Sequence, residues 1–215
     1  MAASYPGRGA ALASLIPALA VAAIALAWAV IGAAWYLNRG WFAFTRDAFS
    51  DLGGAGSCCP GVYNYGLMAV GAVIVALGAA MLAASRGRLE AAGAAYMALA
   101  GVFLALIGYY HSGTRPHVFV STWFFVQADL ALALSSAGLA LRGSRLALAS
   151  LAVALAAFPV AGLVGATVGW PSAAVLEAYG VILIDFMVAV VALEYRRLAR
   201  GARHLGAQGQ GWQAG

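Results

Sequence analysis

The chain contains no lysine, only two cysteines, and 9% charged residues. Scarce charge excludes an ordinary soluble domain, in which about a quarter of residues are charged. Cys58 and Cys59 are adjacent, which excludes a disulfide framework, because neighbouring cysteines bridge each other only by distorting the backbone. They read as free thiols, with an intermolecular disulfide or a metal role as alternatives. No Walker loop, no glycine-rich phosphate loop after a strand and no haem-attachment motif is present. The net charge of +5 calls for no nucleic acid, since topology accounts for it.

What the chain does have is six apolar runs: Ala11 to Leu37, Asn64 to Ala84, Ala91 to Tyr110, Val118 to Leu141, Leu146 to Trp170 and Ala173 to Tyr195. Each is near or above the roughly 20 residues that cross a bilayer. Backbone groups in lipid must be satisfied within their own segment, and the runs do not alternate in polarity as barrel strands do, so they predict helices. The expected fold is all-α: a polytopic six-transmembrane-helix bundle with short loops over residues 1–204, followed by a disordered tail over 205–215. The first run resembles a signal peptide in following Arg8. Its apolar stretch is about twice the usual 7 to 15 residues, however, which favours a retained helix. Arginines fall nine to three between the two sides of the bundle. The positive-inside rule then places both termini in the cytoplasm of a cell-membrane protein. The Arg196 to Arg203 cluster also suits anionic lipid headgroups.

The chemistry-bearing residues crowd into two connections on the opposite, outer side. In the longer one Phe42, Phe44 and Phe49 are expected to lie on the interface or plug the bundle mouth, holding Ser50 and Asp51 against the helix ends. Ser-Asp before Leu-Gly-Gly is also turn chemistry, in which the Asp side chain caps backbone N–H groups. The shorter connection carries His111, Arg115 and His117, and Glu177 lies one turn into the last helix. These residues form a candidate catalytic tier of Asp51, His111, His117 and Glu177, with Ser50 and Arg115 as ligand-binding groups. His111, His117 and Asp51 could hold a divalent metal such as zinc, which would activate water against a lipid headgroup. The two histidines lack helical i, i+4 spacing, so plain solvated pairing is favoured over metal. Ser50, His117 and Glu177 as nucleophile, base and orienter is the metal-free alternative. The favoured fate of Asp51 is architectural, accepting a bond from Arg115 or His117 to lock the loop over the bundle.

A second tier lies deeper. Asp129 and Asp185 fall about 17 Å along their helices, near the bilayer midplane, with no arginine in any run to pair with them. They read as interhelical glue, with Gln127, Ser135 or Tyr179 as partners, or as a proton or cation site. Glu90 and Glu194 read as surface acids beside arginines. Small residues four apart, Ala72, Ala76, Ala80 and Ala84 on the second helix and Gly101 and Ala105 on the third, suit close packing within the bundle or against a second copy.

Several stretches carry a resemblance. Phe49-Ser50-Asp51-Leu52-Gly53, Tyr63-Asn64-Tyr65-Gly66-Leu67, Gly113-Thr114-Arg115-Pro116-His117 and Ser121-Thr122-Trp123-Phe124-Phe125 together resemble the six-helix prokaryotic family called domain of unknown function 998. The Ser-Asp-Leu-Gly element and the loop histidine are also similar to features of DRAM/Sfk-like membrane proteins. Such relatives often carry a Phe-Pro-acid stretch after the third helix, where this chain has Tyr109-Tyr110-His111. The resemblance implies a fold and a topology but no activity. Three functions follow from the residues: a lipid-interacting or structural membrane protein, then a metal-assisted lipid-headgroup hydrolase or transferase, then a proton- or cation-coupled transporter using Asp129 and Asp185. Membrane lipids are the expected partners, and whether the protein is an enzyme stays open.

Overall fold

A computed structural model describes residues 13–211, with side chains through Gly201. The described chain forms six α-helices: α1 (Ile16–Asn38), α2 (Pro60–Ala84), α3 (Arg88–Tyr109), α4 (His117–Ala140), α5 (Arg145–Thr167) and α6 (Ala173–Gly211). A short 3-10 helix, Phe49–Gly53, lies in the long connection after α1. All six helices are long and apolar enough to cross a membrane, as the runs predict. At 1.5 Å per residue, the 23 residues of α1 reach about 35 Å, enough for a hydrocarbon layer of about 30 Å.

The helix boundaries follow local chemistry. Pro60 starts α2 at a position where its missing N–H costs nothing and its fixed φ suits the helix, so α2 begins before the expected Asn64. Ser144 caps α5 by accepting from the Ala147 N–H at 3.0 Å. Just before it, Gly143 takes a φ of 91° to close α4, a conformation that glycine adopts without strain. The expected tail from Leu205 falls partly in α6, whose backbone continues to Gly211, and partly outside the described residues.

The tightest packing runs through α2, α3 and α4, and glycine makes it. A Cβ on Gly71 would stand 2.5 Å from the Gly101 carbonyl oxygen, and one on Gly78 would stand 2.5 Å from the Ala98 nitrogen. On the other face of α3, a Cβ on Gly93 would lie 2.6 Å from the Ala131 carbonyl oxygen. Backbones in such contact leave no room for side chains. The expected stripe on α2 is therefore corrected. Ala80 and Ala84 are buried, but Ala72 and Ala76 are exposed, and Gly71 and Gly78 make the seam. Each four-residue step turns about 40° around a helix, so a stripe of four alanines drifts off one face. Gly101 and Ala105 do pack as expected, against Gly71.

Glu90 and Glu194 also depart from the expectation of surface acids. They are 1% and 7% exposed, and each holds an arginine at 2.6 Å: Glu90 takes Nε of Arg142, and Glu194 takes Nη1 of Arg197. Burial of a carboxylate is tolerated because the partner cation and further donors, such as the Arg86 N–H on Glu90, compensate its desolvation.

Candidate functional site

The connection between α1 and α2 folds back over one end of the bundle as a cap. Its anchor is Asn38, 2% exposed at the end of α1. The Asn38 amide donates to the Ala34 carbonyl, and its Oδ1 accepts from Trp41 Nε1, Ser57 Oγ and the Cys58 N–H, tying both ends of the connection together. Phe42 and Phe49 are buried and stacked with centroids 6.2 Å apart, so they plug the bundle mouth, while Phe44 is exposed. The cap is stitched to the start of α6, where the Ser172 hydroxyl donates to the Phe44 carbonyl and the Ala174 N–H to the Asp47 carbonyl. Arg46 holds the Asp47 carboxyl below the usual carboxylate range, chiefly through the hydrogen bond between them.

Two carboxylates organise the 3-10 helix. Asp51 Oδ2 accepts from the Ala48 N–H at 2.9 Å, which is the turn-capping role expected of it. Its Oδ1 accepts from Ser112 Oγ at 3.1 Å, so Asp51 does fasten the cap to the connection between α3 and α4. The donor is Ser112 and not Arg115 or His117, because Arg115 is exposed and His117 faces elsewhere. Glu177 reaches from α6 to accept from the Phe49 N–H at 2.6 Å, with the Ser50 N–H and hydroxyl directed at the same carboxylate. A carboxylate at the start of a helix meets N–H groups that have no partner within the helix, so Glu177 is a cap supplied by a distant segment.

His117 is buried, and its Nδ1 lies 2.8 Å from the Tyr110 carbonyl oxygen. A carbonyl only accepts, so Nδ1 carries a proton, and in the neutral ring Nε2 is the lone-pair nitrogen. The orienter of His117 is therefore the Tyr110 backbone, and the Ser50, His117 and Glu177 triad is not assembled with Glu177 behind the imidazole. His111 pairs its own Nδ1 with the Ser112 carbonyl at 2.9 Å. Among the described residues no three His, Cys, Asp or Glu side chains gather to hold a metal ion, so the set of His111, His117 and Asp51 is dispersed. Cys58 and Cys59 are exposed thiols, their sulfurs 3.0 Å apart without a bridge.

Beneath the cap lies the feature that the sequence did not show, a narrow slot of about 100 Å³ between the helices. Ser50, Tyr63, His117, Ser121 and Glu177 line its capped end. Below them the walls are apolar, down to Leu77, Met97 and Val188, with Asp185 the polar exception. From Glu177 to Val188 the slot follows α6 for about 16 Å. Asp185 stands where α1 meets α6, and its Oδ2 accepts from Trp28 Nε1 at 2.7 Å.

Asp129 does not line the slot. It lies within electrostatic reach of Tyr179, whose hydroxyl donates to the Ala157 carbonyl. Ser135 and Gln127 make no hydrogen bond to either aspartate, and the glue between α4 and α5 is instead the pair Ser136 and Ser150 at 2.8 Å.

Among the residues found only in the structure, Tyr63 and Asn64 had a signal, since both stand in a stretch that carries the family resemblance. Asn64 donates to the Gly53 carbonyl at 3.0 Å, which fixes the end of the 3-10 helix to α2. Trp28 and Asn38 had none, because an isolated Trp or Asn in an apolar run has no partner visible in sequence.

No curated protein and no solved structure matches the chain, and the likeness to DRAM/Sfk-like proteins is not shown by these comparisons. The model of the family described as protein of unknown function (DUF998) matches residues 21–194, and the chain belongs to that family.

Proposed function

We propose that the protein binds one membrane lipid or related amphiphile, its hydrocarbon chain in the slot and its polar end against Ser50, His117 and Glu177. The observation that carries this reading is the gathering of polar groups at the capped end of a slot that is otherwise apolar except for Asp185, whose carboxylate is engaged by Trp28. Its full length of about 16 Å is close to one leaflet of hydrocarbon, half of about 30 Å, and Ser50, His117, Ser121 and Glu177 collect at the end where a headgroup would lie. A ligand site is typically apolar with a few placed polar groups, and this slot has that character. At about 100 Å³ it is narrower than such sites, so a chain enters as α1 moves from α6 across the Trp28 and Asp185 bond.

Saturable fluorescence enhancement of cis-parinaric acid by the detergent-purified protein checks the reading. Ala27→Phe, which fills the slot from α1, is expected to weaken that binding about tenfold, the equivalent of losing roughly two buried methylenes of contact. Unsaturable binding, or an Ala27→Phe variant indistinguishable from wild type, overturns it.

His117 supports a second reading, a lipid-headgroup hydrolase or transferase without metal. With Nδ1 committed to Tyr110, the basic Nε2 is the imidazole nitrogen available to the slot that His117 lines. On that reading His117→Ala abolishes turnover of a slot-bound lipid, while parinaric acid binding weakens only by the loss of one polar contact. We further infer from the arginine distribution that the cap faces outward and both termini are cytoplasmic. A membrane-impermeant maleimide then labels Cys58 and Cys59 in intact cells, and labelling only after lysis reverses the orientation.

A further inference from the structure

We propose that the hollow between the start of α5 and α6, at the arginine-rich end opposite the cap, is a binding site for a phosphate group, carried by an anionic lipid headgroup or by a soluble phosphate compound. This hollow, of about 660 Å³, is lined by Arg142, Ser144, Arg145, Glu194 and Arg197. It shares no lining residue with the slot beneath the cap and is independent of the lipid reading.

Two of the three guanidiniums around the hollow are fixed in place by carboxylates. Glu90, 1% exposed, fixes Arg142 through Nε at 2.6 Å, and Glu194 fixes Arg197 through one terminal nitrogen at 2.6 Å. A guanidinium has five N–H donors, so each arginine is held in place by one part of its fork and keeps donors for a ligand. Arg145 is exposed at the first position of α5, a helix of 23 residues. In that first turn the Ala147 N–H is taken by Ser144 Oγ, while the N–H groups of Arg145 and Leu146 precede any partner within the helix and belong to residues that line the hollow. Glu194 is the one carboxylate lining the hollow; with Glu90 paired to Arg142 and Glu194 to Arg197, Arg145 is the cation left uncompensated, and the other two guanidiniums contribute their remaining N–H donors. Several convergent charged donors suit a group that offers several anionic oxygens, and phosphate is that group. Basic pockets at the ends of membrane helices commonly take phosphate-bearing headgroups.

The test is thermal unfolding of the full chain in detergent, titrated separately with phosphatidylglycerol, phosphatidylcholine and inorganic phosphate. Arg145→Gln leaves both ion pairs intact, and Arg145→Gln/Arg197→Gln removes two of the three cations. Arg196→Gln/Arg200→Gln removes the same charge from α6 outside the hollow. Phosphatidylglycerol is expected to raise the midpoint more than phosphatidylcholine. Arg145→Gln should weaken that response about tenfold, the loss of one charge-assisted contact, and the double variant more, whereas Arg196→Gln/Arg200→Gln, which removes only general attraction to anionic headgroups, should lose less than Arg145→Gln although it removes more charge. A stabilising response to inorganic phosphate as strong as that to phosphatidylglycerol, with the same variant pattern, assigns the site to soluble phosphate compounds. Equal losses in both double variants, or no preference for either phosphate source over phosphatidylcholine, overturn the proposal.

Discussion

The seams on the two sides of the bundle are built differently. Between α2 and α3, glycines bring backbone onto backbone, so that a Cβ at Gly71 or Gly101 would collide with the facing carbonyl. Between α1 and α6 the helices instead flank a slot and meet at mid-depth through one indole-to-carboxylate bond, Trp28 to Asp185. Close contact along a seam multiplies small dispersion terms, whereas a single polar bond within a membrane contributes little. One side is a closely packed frame, and on the lipid-binding proposal the other is the side that opens; the candidate site lies between them.

The frame is the place where a single change should do most damage. Gly101→Leu forces a side chain into the α2 backbone and is expected to cost about 3 kcal/mol, seen as a large fall in the detergent unfolding midpoint. A midpoint near that of wild type would show that the seam yields as easily as the other side. Next in size is Glu90→Gln, which leaves Arg142 without its carboxylate. Because Arg142 is one-third exposed, water screens the loss, and about 1 to 2 kcal/mol is expected in the same assay. The smallest stability effect belongs to Trp28→Phe, about 0.6 kcal/mol for one interhelical bond in a bilayer. Its signature is kinetic: parinaric acid should enter and leave faster at nearly unchanged midpoint. If Trp28→Phe lowers the midpoint as much as Gly101→Leu, the two seams are equivalent and the contrast is lost.

Particular residues show where sequence reasoning reached and where it stopped. Asp51 was legible as a turn cap because its partner, the Ala48 N–H, is three residues away. Its second partner, Ser112, was not, since 61 residues separate them and a serine in a loop advertises nothing. Glu177 was legible as a group near the cap, by counting one turn into α6, but the count did not say that it would cap the 3-10 helix 128 residues earlier. His111 and His117 looked equivalent in sequence. Burial separated them, giving His117 a place on the slot and His111 a bond to its own neighbour. Glu90 and Glu194 were misread because flanking arginines suit a surface pair and a buried one alike.

By itself the sequence determined the six helices and the placing of arginines at the helix ends. The first follows from the local demand that every backbone group in lipid be satisfied within its own segment, and the second from the cost of a charged side chain in hydrocarbon. Which glycines meet, which carboxylates are buried and where the slot runs were decided only by the tertiary structure. Those properties depend on the rotation of each helix about its own axis. Rotation is set by packing against the neighbours, and an almost uniformly apolar helix carries little pattern to specify it in advance.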